Sequence, residues 1–251
     1  MPGVREFRAR LEMKTLIEGA GKLGINLNAT QVRQFELYYQ ELVEWNKRIN
    51  LTAITDYASV QLKHFLDSLT VALVLREEEA AGPDFNVVDI GTGAGFPGLP
   101  LKILFPDLRL VLLEPTTKKT AFLHHIIGKL ELENVEVLNA GAEEAAHQPF
   151  YREQFALVLS RAVASLPSLA ELTLPFCRLG GRFIAQKKGD ITQELDRAGK
   201  AIAMLGGKLS QVRKIESDEF EDARYLVIID KIRSTPGKYP RRPGVPRRRP
   251  I

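Results

Sequence analysis

A chain of 251 residues, 45% hydrophobic and with a formal net charge of +4, is long enough to bury one large core. No run approaches the ~18 consecutive apolar residues of a membrane span, and Met1 to Lys14 mixes charged with apolar residues where a secretory signal needs an unbroken apolar segment. Cys177 is the single cysteine, which excludes a disulfide framework and a cysteine-built zinc site and suits a reducing cytoplasm.

Residues 1 to about 80 read as helices. The first is expected from roughly Val4 to Ala20, ended by Gly21 and Gly24. Asn28, with Gln31 three positions on, has the form of a capping box for the second. Its Val32, Phe35, Tyr39, Leu42 and Ile49 recur at helical spacing and form a core-facing stripe. A third helix, from about Ser59 to Glu79, buries Leu62, Phe65, Leu66, Leu69 and Leu73, and Ala81-Gly82-Pro83 closes the region. His64 and Asp67 stand beside that stripe, three residues apart, and can meet on one helix face. A hydrogen-bonded pair tying this region to the main domain is preferred over catalysis.

From Asn86 onward strand and helix patterns alternate, which implies a mostly parallel sheet covered on both faces. Phe85 to Ile90 suits a buried strand, and Gly91-Thr92-Gly93-Ala94-Gly95-Phe96-Pro97-Gly98 follows it. Glycines at this density let the backbone turn sharply and approach a ligand, and Pro97 suits the start of the next helix. Strand, glycine loop and helix N-terminus together make a nucleotide-type site. Gly93-x-Gly95-x-x-Gly98, with Glu114 about twenty residues later, satisfies the dinucleotide fingerprint. Read from the strand end, Asp89-x-Gly91-x-Gly93-x-Gly95 resembles the S-adenosylmethionine loop of Rossmann-like methyltransferases. The loop alone leaves the cofactor open.

Arg109 to Leu113 is the second strand, and Glu114 at its end is placed to accept from ribose hydroxyls. Pro115-Thr116-Thr117 opens a helix whose Lys118 and Lys119 either face an anion or are simply solvated; His124 and His125 read as structural or exposed. After the third strand, Val135 to Leu138, Ala142 and Glu143 lie where a base edge would be read. The fourth strand, Phe155 to Leu159, exits at Ser160-Arg161-Ala162. Arg161 there faces the ligand crevice, with a salt bridge to a neighbouring helix as the alternative. Arg182 to Gln186 is the fifth strand; Lys187 and Lys188 beyond it suit phosphate contact or a solvated turn. A helix from Thr192 to Leu205 precedes two last strands, Leu209 to Ile215 and Arg224 to Lys231, and this closing pair favours a methyl donor over a nicotinamide. Ser234 to Ile251 holds six Lys/Arg, five prolines and no acid, so the remaining residues sum to about −2 (+4 less +6). Such a tail is expected to be flexible and partly extended, either an RNA anchor or a solubilising end.

Taken together, Trp45 to Thr52, His64 to Leu69, Asp89 to Gly98 and Ser160 to Ala162 resemble the RsmG (GidB) family of small-subunit ribosomal RNA methyltransferases, over roughly residues 30 to 232. The resemblance implies an α/β fold: a Rossmann-like class I methyltransferase sheet, mostly parallel with a closing antiparallel strand pair, plus an N-terminal helical region. It implies S-adenosyl-L-methionine as cofactor and N7 of one guanine in a loop of 16S rRNA, near the decoding region, as methyl acceptor. The expected cofactor contacts are Gly91, Gly93, Phe96, Glu114, Pro115, Thr116, Ala142, Glu143 and Arg161, and the expected substrate contacts are His64, Lys187 and Lys188. Guanine N7 carries a lone pair and no proton, so no catalytic acid or base is expected, and no metal. The expected partner is 16S rRNA, the small ribosomal subunit or its assembly intermediate, met by a cytoplasmic monomer. The expected division is a helical cap over 1–82, a methyltransferase domain over 83–233 and a flexible basic tail over 234–251.

Overall fold

The computed structural model describes residues 13–75, 82, 84–161 and 164–251. Seven strands form one sheet: β1 (Asn86–Ile90), β2 (Arg109–Leu113), β3 (Val135–Leu138), β4 (Phe155–Arg161), β5 (Cys177–Lys188), β6 (Gly207–Ile215) and β7 (Arg224–Lys231). Their order is β3-β2-β1-β4-β5-β7-β6. Neighbours pair in parallel except β7, which runs antiparallel to both β5 and β6. This is the mostly parallel sheet with a closing antiparallel strand pair that the sequence implied.

The central strands are buried on both faces, which their continuous apolar runs require. Successive residues of β1 therefore serve different cores: Val87 packs with the N-terminal helices, Val88 and Ile90 with the opposite layer. On the first face lie α1 (Lys14–Lys22), α2 (Ala29–Asn46), α5 (Gly98–Leu104) and α6 (Thr117–Lys129), through Phe35, Tyr38, Leu99 and Phe122. On the second lie α7 (Ala142–Ala145), α8 (Leu166–Thr173) and α9 (Thr192–Met204), through Ala145, Leu169 and Ile202.

The capping box at Asn28 is formed as read: its side chain accepts from Thr30 N and Gln31 N at 2.9 and 3.0 Å, and Gln31 accepts from Asn28 N at 2.9 Å. The Gln31 amide then donates to Ile103 O and Leu104 O, both at 3.1 Å, so one side chain finishes the ends of two helices.

The third helix differs from expectation. It runs as α3 (Tyr57–Val60), a π-helical stretch (Gln61–Leu66), α4 (Asp67–Leu69) and a 3₁₀ stretch (Thr70–Val74). The wider π turn resets which side chains share a face, so a constant 3.6 period misplaces His64 against Asp67. The expected end at Glu79, with Ala81 and Pro83 of the closing turn, lies outside the described residues, as do Val4 to residue 12 of the first helix.

The tail corrects a second expectation. It is bound along its length, against the prediction of a flexible segment. Arg241 forks onto Glu171 of α8, with Nε at 2.8 Å and a terminal nitrogen at 2.6 Å, while its backbone N donates at 2.8 Å. The Glu171 side chain is completely buried. Arg152 donates to Tyr239 O and Thr235 O at 2.9 Å each. Ser168 donates to Pro246 O at 2.9 Å, and a short helix, α10 (Val245–Arg248), follows. Composition counts the tail's charges, but it does not register the buried acid that one of them answers.

Removing one member of a buried pair leaves the other charge unmatched. Arg241→Ala is expected to lower the unfolding free energy by on the order of 3 kcal/mol, read as a reduced urea midpoint. Adding Glu171→Met in the same chain should recover much of that loss, because no buried charge then lacks a partner.

Candidate functional site

The site begins where β1 ends. Gly91, Gly93 and Gly95 all have positive φ (69°, 63° and 100°), a backbone region that side-chain-bearing residues rarely adopt. At Gly95 a Cβ would also fall 2.5 Å from both Leu99 and the Tyr38 hydroxyl oxygen. Two acids hold this loop. Asp89 is fully buried; its Oδ2 accepts from Thr92 Oγ1 at 2.7 Å and from Gly98 N at 2.9 Å, drawing the loop into a closed turn. Burial pushes its carboxyl up to about 6, against the pull of those two hydrogen bonds. From the next strand, Glu114 accepts from Gly93 N and Thr116 N at 3.0 Å each.

Phe96, at the end of the loop, is stacked between Tyr38 (ring centroids 5.4 Å apart) and His64 (4.6 Å). The Arg161 guanidinium lies over its ring at 5.0 Å. Asp67 bridges two arginines, Arg161 at 3.0 Å and Arg224 at 3.0 Å, and Arg161 also donates to Lys63 O at 3.1 Å. The alternative reading of Arg161, a salt bridge to a neighbouring helix, is thus realised at the rim of the crevice. His64 and Asp67 do not bond each other as read; both meet at Arg161, His64 through Nδ1 at 3.4 Å. His64 Nε2 lies 2.7 Å from Thr52 Oγ1; as the Nε2–H tautomer it donates there and Nδ1 accepts from Arg161, with Lys63 O also 3.2 Å from Nδ1. Asn46 accepts from Leu51 N and Thr52 N at 2.8 and 3.0 Å, so the Trp45–Thr52 block serves to hold Thr52 against His64.

Gly91, Gly93, Phe96, Arg161, His64, Lys187 and Lys188 all line one cavity of about 590 Å³. Glu114 and Thr116 are tied to its loop through the Gly93 and Thr116 amides, whereas Pro115 is exposed at the turn between them. Two expected residues are differently engaged. The Glu143 carboxylate accepts from Gly244 N of the tail at 3.0 Å, beside a separate cleft. The Lys187 ammonium binds Ala164 O at 2.8 Å and Glu194 at 2.7 Å, because a half-buried cation needs an acid and α9 offers one in reach. Lys188 is exposed and makes no ion pair among the described residues. Ala162 of the Ser160–Ala162 block lies outside the described residues. His125 is structural, bonded to Glu41 at 2.6 Å, and His124 is exposed.

Sequence reasoning missed Thr52, Arg224 and Tyr38 as parts of this site. Thr52 lay inside a quoted block without a role. Arg224 offered only its place as the first residue of the last expected strand; that it stands opposite Lys188 comes from the β5–β7 register. Tyr38 had none, because a core aromatic on a helix looks the same whether or not it backs a ligand loop.

The family described as rRNA small subunit methyltransferase G (GidB) matches residues 31–223. The chain belongs to this family. A ribosomal RNA small subunit methyltransferase G from Dehalococcoides mccartyi is 54% identical over 239 residues, covering 95% of this chain and all of that protein. One from Roseiflexus castenholzii is 46% identical with the same coverage. Among solved structures, geranyl diphosphate C-methyltransferase from Streptomyces coelicolor, in complex with S-adenosyl-L-homocysteine, superposes with a TM-score of 0.53 at 12% identity, over 78% of this chain and 98% of that one. A 16S rRNA (adenine(1408)-N(1))-methyltransferase from Catenulisporales acidiphilia gives 0.51 at 12% identity, over 64% and 94%. At such identities these two establish a shared fold. The chain is an S-adenosylmethionine-dependent methyltransferase of the ribosomal RNA class.

The residues present fit that donor. Gly93 has open space where a Cβ would stand, and each Glu114 oxygen accepts one hydrogen bond from the loop backbone, which leaves acceptor capacity that a sugar hydroxyl would use.

Burial, reinforced by the Arg161 charge, lowers the His64 pKa to about 3 from an ordinary 6.5. Between those values the unfolded chain binds the proton first, so this group's contribution makes stability fall as pH drops from about 6.5 toward 3. Asp89 acts oppositely: the stabilisation from its raised pKa is complete below 3.8 and lost as pH rises through about 6. In an NMR titration the His64 ring signals are expected to stay at their neutral positions from pH 8 to about 4. A midpoint near 6.5 would contradict the stacked, Arg161-facing geometry.

Proposed function

We propose that this protein transfers the methyl group of S-adenosylmethionine to N7 of a guanine in a loop of small-subunit 16S ribosomal RNA near the decoding region. Family membership supports the substrate class, and one observation carries the rest. The glycine loop gripped by Asp89 and Glu114 opens into the same cavity as Thr52, His64, Lys188 and Arg224. Donor side and acceptor side are therefore continuous.

Gly91, Gly93, Glu114 and Thr116 would hold the donor, with Phe96 and Arg161 bounding it toward the RNA. The bound donor supplies an electrophilic methyl on a sulfonium. The protein's task is alignment at near-attack distance. Guanine N7 needs no proton removed, and the side chains nearest the opening are consistent with that. His64 is held neutral between Thr52 and Arg161, and the Asp67 carboxylate is taken up by two guanidiniums. Neither is free to act as a base. The Tyr38–Phe96–His64 stack gives the cavity a rigid aromatic wall.

N7 lies in the deep groove of A-form helices, out of reach of side chains, which favours an irregular loop as target. The N-terminal helical region, contributing Thr52 and His64, forms the acceptor side of the cavity and the sheet forms the donor side. The small ribosomal subunit or its assembly intermediate is the proposed partner, met in the cytoplasm by a monomer.

Labelled methyl transfer to 16S rRNA, followed by mapping of the modified base, tests the reaction. Glu114→Ala is expected to weaken S-adenosylmethionine binding at least ~10-fold in calorimetry, because it removes a charged acceptor and the loop's anchor together. His64→Gln and Asp67→Asn should alter RNA affinity or folding while kcat stays within about tenfold. Abolished turnover with both ligands still bound would overturn a mechanism without a general base.

A further inference from the structure

The basic tail has a path, and the path ends at the site. Thr235 donates to Leu205 O at 2.7 Å and Tyr239 donates to Met204 Sδ at 2.9 Å, both at the C-terminal end of α9, on the sheet edge away from the glycine loop. The chain then climbs α8, where Arg241 grips Glu171. It reaches the opposite edge at Ser168, in the first turn of α8, and at Glu143 beyond β3. Pro250 and Ile251 finish in a cleft with Ser165 and Glu194, and Glu194 also lines the donor–acceptor cavity. Helices that follow parallel strands begin at the edge where the strands end, which is the edge carrying the ligand. The tail therefore delivers its last residues to the catalytic rim.

What it delivers there is charge. Arg247, Arg248 and Arg249 are exposed, and none lies within 4 Å of an acid among the described residues. The one tail arginine in an ion pair among the described residues, Arg241, is the one that docks it. The anchor is answered by a buried carboxylate and the cations after it face solvent.

We propose that Arg247, Arg248 and Arg249 form a phosphate-binding platform for the RNA backbone, held at the rim by the Arg241–Glu171 clasp. This rests on the RNA-methylating reading and adds the surface by which RNA is held. The platform carries no base readout. It contributes affinity and register, the usual role of cations on phosphates, while the cavity selects the base.

Truncating the tail would unmatch the buried Glu171 and destabilise the chain, so the test keeps Arg241. Affinity for a 16S rRNA transcript is measured against salt concentration for three full-length proteins: wild type, R247Q/R248Q/R249Q, and a control, K129Q/R178Q/K208Q, whose exposed cations lie at the far sheet edge. The tail variant is expected to lose about 2 from the slope of log affinity on log salt, and roughly a hundredfold in affinity near 0.1 M salt. Its thermal midpoint and S-adenosylmethionine affinity should be unchanged. The control should keep nearly all its affinity and slope. Equal losses in the two variants, an unaltered tail variant, or a wild type that does not bind the transcript would overturn the proposal. Methyl transfer by the wild type is read in parallel; its absence would count against the proposed activity and leave the binding comparison to decide the platform.

Discussion

A glycine-rich turn is conformationally free until something on each side grips it, and here two carboxylates do. Asp89 takes the hydroxyl of Thr92 and the amide of Gly98, fixing the loop's start to the first turn of α5. Glu114 takes the Gly93 amide from the adjacent strand. The parallel β1–β2 pairing, in which Ile90 stands opposite Leu113, places that second acid beside the loop. The backbone amides and the carboxylates are thus held by bonds within the protein itself, and preorganisation of this kind avoids ordering costs on binding. Without the pairing register, the same residues would make no site.

The N-terminal helices are joined to this centre by polar contacts as well as apolar ones. Asp67 is held between Arg161 of β4 and Arg224 of β7, so one carboxylate ties a helical segment to two strands. Side-chain exposures of 10–13% mean that these charges are largely withdrawn from water. Such a cluster adds little net stability over an apolar packing, but it accepts few alternative arrangements. The π-helical stretch belongs to the same device. It sets His64 flat against Phe96 while the following residue series turns Asp67 toward the arginines. The helical wall of the cavity and the glycine loop are consequently joined through the Phe96 ring.

The sheet and the glycine loop were legible in the sequence because they rest on local pattern: apolar runs of strand length, glycines, and an acid at the end of each of the first two strands. β7 and most of the strand boundaries follow from the same signals; β4 and β5 run longer than read because their ends pair beyond the apolar run. The rest was hidden for identifiable reasons. A constant helical period has no means of showing a π turn, so the partners of His64 and Asp67 were misassigned. Thr52 meets His64 only because Asn46 folds the intervening turn, a contact set by side-chain hydrogen bonds and not by spacing. Lys187 looked free because its acid, Glu194, comes from the next helix.

Glu171 shows the limit of composition most clearly. In the sequence it is one acid on an apolar helix, unremarked, and Arg241 is one cation among six seventy residues away. Only the fold brings them together, and only the complete burial of Glu171 makes the contact decisive. An exposed pair of this kind is worth a fraction of a kcal/mol and would leave the tail free to move. A buried carboxylate with a forked arginine leaves no comparable alternative, since solvent cannot replace the partner. The tail's order therefore comes from an interaction that its own composition does not contain. The same argument separates its cations by role. Arg241 spends its charge on the interior, while Arg247, Arg248 and Arg249 keep theirs for whatever polyanion approaches the rim.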